Sequence, residues 1–132
     1  MRRVATKPPS FPEVTPDQPL PCPEGVRWHV VCGDQGHWRV GMYSPGETAP
    51  EQLPELERHD CPELFVLTRG NLTLLIAEDG AVRQLALQPG VPVLVSSPHA
   101  GFCPDGPHTG VALVVERDEF DTEYQAPQAW LR

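Results

Sequence analysis

The chain is short of positive charge, of long apolar runs and of closely spaced cysteines, and each shortage removes a class of function. Ten Lys and Arg stand against eighteen Asp and Glu, a formal net charge of -8. Nucleic-acid binders draw most of their affinity from a basic patch, and anionic membrane surfaces attract basic segments, so neither partner is expected. No apolar run approaches the ~20 residues of a spanning helix. The opening Met1-Arg2-Arg3-Val4-Ala5-Thr6-Lys7-Pro8-Pro9 is basic with no apolar segment behind it, unlike a secretory signal, and a cytoplasmic setting is expected. There Cys22, Cys32, Cys61 and Cys103 would be free thiols. Without a C-x-x-C pair they make neither a zinc knuckle nor a redox dithiol, and Cys22 and Cys32 read as small packed side chains.

Long helices are also missing. Seventeen prolines in 132 residues each remove an N–H and clash with a preceding helical turn. What remains is a chain of single-domain length with 39% hydrophobic residues, enough for a core. Residues 1–25 hold seven prolines and read as an extended arm, with Phe11, Val14 and Leu20 as its anchors. Val26–Cys32 and His37–Tyr43 flank the turn Gly33-Asp34-Gln35-Gly36 and form a hairpin, with Trp38, Val40 and Met42 on one face and Arg39 and Tyr43 on the other. His29 and His37 beside that turn read as surface residues.

Further strands follow at Leu64–Leu67, Leu72–Ala77, Ala81–Leu87, Val91–Val95 and Val111–Glu116, with a hairpin turn at Asp79-Gly80 and another turn at Pro89-Gly90. Val111–Glu116 is almost wholly apolar, as a strand buried on both faces would be. Residues 117–132 are expected as a tail, with a short helical turn around Asp118-Glu119-Phe120. About eight or more short strands with turns every 8 to 12 residues predict an all-β sandwich or antiparallel barrel.

The richest chemistry lies in Glu57-Arg58-His59-Asp60-Cys61-Pro62-Glu63. Glu57, His59, Cys61 and Glu63 stand at alternate positions, so one extended strand would turn all four toward one cavity. Pro62 interrupts that extended geometry and can turn Cys61 away.

The run His59-Asp60-Cys61-Pro62-Glu63-Leu64-Phe65-Val66-Leu67-Thr68-Arg69-Gly70 resembles the first motif of the cupin superfamily. That motif is His-x-His, three or four residues, Glu, six residues and Gly. Pro89-Gly90, the Val91–Val95 strand and Pro98-His99 resemble the second motif, whose histidine completes a metal site. The resemblance spans roughly residues 36–116 and implies a double-stranded β-helix, or jelly roll, over residues 26–116. It also implies a ligand set of Glu57, His59, Glu63 and His99. Two departures stand out. Glu57 replaces the first histidine, and Ser96-Ser97 replaces the usual Pro-x-Gly in a second motif shortened by about two residues.

Two imidazoles with one or two carboxylates suit Fe, Mn, Ni or Zn, and no organic cofactor is expected. The resemblance thus implies a small cupin acting on or binding a small polar metabolite as a dioxygenase, isomerase or lyase. Cys61, Cys103 and His108 would line the pocket behind the ligands. The missing histidine leaves two metal-free alternatives: a ligand-binding or sensor cupin, and a sugar-isomerase-like enzyme with His59 as general base. Cupins commonly pair through sheet edges, which implies a homodimer.

Overall fold

The computed structural model describes all residues 1–132. The eleven strands are β1 (Arg2–Thr6), β2 (Trp28–Asp34), β3 (Trp38–Tyr43), β4 (Leu56–His59), β5 (Glu63–Arg69), β6 (Thr73–Glu78), β7 (Ala81–Ala86), β8 (Val93–Val95), β9 (His99–Phe102), β10 (Val111–Arg117) and β11 (Phe120–Gln125). The helical content is two single 3-10 turns, Pro50–Gln52 and Pro127–Trp130, each with proline near its start. No helix is long and apolar enough to cross a membrane.

The strands form two antiparallel sheets, ordered β1-β11-β4-β9-β6-β7 and β2-β3-β10-β5-β8. They face each other as a jelly-roll barrel, so the expected all-β architecture is the observed one. Consecutive strands often lie in different sheets, and β4 and β5 do so across the three residues Asp60-Cys61-Pro62.

The barrel interior changes character along its length because each inward row does. On β5 the inward residues run Glu63, Phe65, Leu67, and on antiparallel β10 they run Glu116, Val114, Ala112. One end is therefore polar. The other joins Leu67, Leu72, Leu74, Ile76, Leu87 and Cys103 in the main core. Strand β6 is buried on both faces. Leu74 and Ile76 enter the main core, while Leu75 and Ala77 meet Leu53, Leu56 and Phe102 in a second cluster against which Trp130 packs. That accounts for its uninterrupted apolar run.

Both ends of the chain enter the first sheet. Arg2–Thr6 pairs with β11, Val4 opposite Thr122, while no strand forms between Lys7 and Arg27. Phe11 and Leu20 are half-buried and Val14 is exposed. No helical turn forms at Asp118-Glu119-Phe120. The chain bends there and continues as β11, because alternate residues Phe120, Thr122 and Tyr124 find inward places along the cavity. All four cysteines are free thiols, but Cys22 is exposed and Cys32 only half-buried, so the packed role expected for Cys22 is not met.

Among the glycines that leave no room for a Cβ, two shape the barrel around the site. Gly70 has φ +67°, and a Cβ there would collide with the Thr109 carbonyl, which ties the end of β5 to the start of β10. At Gly41 a Cβ would overlap the Trp28 indole, so the missing side chain makes room for that ring over the cavity.

Candidate metal centre

The polar end of the barrel encloses a cavity of about 470 Å³. Three strands, from both sheets, bring its central side chains together. Strand β4 supplies Glu57 and His59, β9 supplies His99 opposite Glu57, and β5 supplies Glu63 from the facing sheet. The sequence spacing suggests one extended row, but two facing strands make the cluster. Cys61 falls in the crossing turn between them and is buried away from the other three.

One donor atom from each of Glu57, His59, Glu63 and His99 lies within 4.8 Å of every other, an arrangement that can hold a metal ion. His99 Nε2 is 2.5 Å from Glu63 Oε1 and 3.7 Å from Glu57 Oε1. His59 Nε2 is 3.2 Å from Glu63 Oε1 and 3.5 Å from Glu57 Oε1. Ligands held about 2.1 Å from one ion are about 3.0 to 3.4 Å apart for octahedral or tetrahedral geometry, so these separations bracket the requirement.

The orientation of the rings fits as well. His99 Nδ1 donates to the Ser97 carbonyl at 2.8 Å, which leaves the lone pair of a neutral ring on Nε2, facing the cluster. His59 Nδ1 is held by the Thr122 hydroxyl at 2.7 Å, set opposite it by the β4–β11 register. Glu63 Oε1 and His99 Nε2 are both buried, lie 2.5 Å apart and have no other hydrogen-bond partner.

No family model matches the sequence, and no curated protein is similar to it. Solved structures are. Hydroxypropylphosphonic acid epoxidase from S. wedmorenis in complex with fosfomycin superposes with a TM-score of 0.55 at 14% identity, over 85% of this chain and 61% of that one. Co(II) HppE in complex with substrate gives 0.54 at 12% identity, over 85% and 60%. A cupin-2 domain containing protein from Shewanella frigidimarina gives 0.47 at 15% identity, over 64% and 74%. The chain spans about six tenths of the length of the epoxidase chains it matches. The chain shares the fold of these epoxidase structures.

Within the barrel the remaining expected pocket residues sit elsewhere. Cys103 is fully buried in the main core, its thiol against the Gly110 backbone. His108 lies in a loop with Nδ1 on the Ser44 carbonyl at 2.7 Å. Neither lines the cavity, and neither does Cys61.

The cavity wall instead takes Arg39, Glu116, Phe120, Thr122 and Tyr124, none of them anticipated as site residues. A signal existed for some. The period-two row Phe120-Thr122-Tyr124 is visible, and Glu116 is a charge closing an apolar strand. Nothing local shows that Arg39 faces inward, because burying the polar face of β3 is decided by the opposing sheet.

Electrostatics bind the cluster together. Burial resists charge on His59, but the carboxylates of Glu57 and Glu63 outweigh it and raise its pKa to about 10. His99 is raised in the same way, chiefly by Glu63. Burial pushes Glu63 up, yet His99 and His59 together bring it down to about 2. Glu116 rises to about 7 through burial and the nearby Glu63, with Arg39 opposing. Tyr124 rises to about 12 through burial and Glu57.

Proposed function

We propose that this cupin binds a divalent transition metal through Glu57, His59, Glu63 and His99 and acts on a small polar metabolite in the barrel. One observation carries the reading. Glu63 Oε1 and His99 Nε2 are buried, convergent and without another hydrogen-bond partner, and His99 is fixed in the tautomer that offers Nε2 as a ligand. Unmet polar atoms in a protein interior are rare, and a shared cation satisfies both at once.

When bound, an ion of the Fe, Mn, Ni or Zn class supplies a Lewis acid with positions open to substrate. The chain's own contribution is orientation and enclosure. Thr122 and the Ser97 carbonyl hold the two imidazoles. The Phe65 ring packs edge-on to His99 and the Phe120 ring edge-on to His59, which limits water on their apolar sides. Without a metal, the carboxylates of Glu57 and Glu63 favour the protonated form of His59, which weighs against a general-base role.

Elemental analysis of untagged protein tests the reading. About one equivalent of a transition metal is expected, falling well below that in His99→Ala and Glu63→Gln. A wild-type protein that takes up less than about a tenth of an equivalent even after metal is added overturns it.

A further inference from the structure

A second polar pair stands in the same cavity, and the metal reading does not use it. Arg39 on β3 and Glu116 on β10 are register partners, and each is at least nine-tenths buried. Their single contact, Nη2 to Oε1, is 3.5 Å, long beside the ~2.7–2.9 Å of a charge-assisted bond. Arg39 Nη1 donates to the Ser10 carbonyl at 2.9 Å. Arg39 Nε and Glu116 Oε2 are then buried with no hydrogen bond, one a donor and one an acceptor. Desolvation offsets most of the attraction in a buried ion pair, so stability alone does not explain why this one is present.

The surroundings describe the missing partner. The guanidinium lies 5.7 Å from the Trp28 ring centroid and 5.1 Å from that of Phe120. The Phe120 centroid is 4.7 Å from that of His59, so the pair and the metal cluster share one wall of one chamber. Five glutamates line that chamber against two arginines, and both arginines are already engaged, Arg27 with Glu47 and Arg39 with Glu116. Even a divalent ion leaves the wall without net positive charge. A phosphate or phosphonate dianion therefore finds no free cation. An ammonium group satisfies Glu116 Oε2 but leaves Arg39 Nε unmet. Neighbouring hydroxyls satisfy both, one accepting from Nε and the other donating to Oε2. The Trp28 and Phe120 rings offer apolar surface to the C–H side of such a molecule.

We infer that Arg39 and Glu116 form the recognition site for a neutral polyhydroxylated ligand, sugar- or polyol-like, beside the metal cluster. This deepens the function proposed above and rests on reading the chamber as a ligand site.

The test titrates D-xylose, glycerol and glycerol phosphate into nitrogen-15-labelled protein, zinc-loaded and metal-free, and follows the Arg39 Nε–H and Trp28 indole resonances. D-xylose should shift both resonances along a saturating curve, with glycerol phosphate at least about tenfold weaker than glycerol. Arg39→Met and Glu116→Gln should each weaken D-xylose binding at least about tenfold, since each leaves a buried partner unmet. If a single variant fails to fold, the double variant Arg39→Met/Glu116→Leu removes both charges, and it should retain zinc while losing D-xylose. Equal or tighter binding of glycerol phosphate, unchanged affinity in the variants, or no response to either neutral polyol overturns the inference. Zinc content measured on the same samples separates the two claims. Binding of D-xylose by protein that cannot hold zinc keeps this site and removes the metal, and a zinc-loaded protein blind to both polyols does the reverse.

Discussion

Thr122 touches the candidate centre only through His59 Nδ1, so it is the residue with which to ask whether ring orientation matters. Thr122→Val keeps the shape and loses the hydroxyl. Metal affinity should fall about 10- to 100-fold, the usual effect of removing a group that orients a ligand, while Thr122→Ser should stay near wild type. Competition against a chromophoric chelator measures both, and equal affinities in all three proteins would show that packing alone orients His59. Asp118 is a separate case. It is fully buried, and its carboxylate accepts from the Ser10 N–H and hydroxyl and from the Gly36 N–H. Asp118→Asn turns one acceptor into a donor facing these donors. A loss of about 1–3 kcal/mol is expected, read from the urea midpoint.

At the scale of elements, β11 carries more than its place in the sequence suggests. It pairs with β4, brings Thr122 to His59, and has its outer edge covered by β1. Ser10, just beyond β1, binds both Asp118 and Arg39. Deleting residues 1–10 should therefore bare a strand edge and unseat Arg39. A lower melting temperature and concentration-dependent association are expected, by calorimetry and light scattering. A truncated chain that stays monomeric and equally stable would mean that β1 is dispensable. Neither role is legible locally. Proline density marks residues 1–25 as extended, yet pairing depends on where β11 ends up, and that is settled by the whole barrel.

For the whole molecule, pH and metal are the two levers. The Asp118 carboxyl is held below its ordinary range: burial works against this, but the hydrogen bonds from Ser10 and Gly36 outweigh it. Its folded pKa lies below the unfolded value, so between the two the unfolded chain binds the extra proton. The stability it contributes is complete above about pH 4 and is lost as pH falls through the folded value. Wild type and Asp118→Asn should accordingly converge in stability below pH 4, and a constant gap would exclude this linkage. A metal that binds only the native state at 100 times its dissociation constant adds about 2.7 kcal/mol, or roughly 10 °C in melting temperature for a domain of this size. Chelation should reverse the shift, and His99→Ala should abolish it.

The sequence by itself determined the all-β class, and its resemblance to the cupin motifs pointed to the barrel and to Glu57, His59, Glu63 and His99. Turn residues, short strand-like runs and prolines exclude long helices and leave sandwich and barrel both open, while the spacing of His59, Glu63 and Gly70 carries the resemblance that chooses between them. Tertiary structure decided which polar groups share that space. Cys61 left the row because the chain turns between sheets at Asp60-Cys61-Pro62. Cys103 went to the core and His108 to a loop. Arg39, Glu116 and Thr122 entered the cavity from strands far apart in sequence. The physical reason is that alternation along a strand tells which residues share a face. Which face is buried, and against what, depends on the sheet opposite.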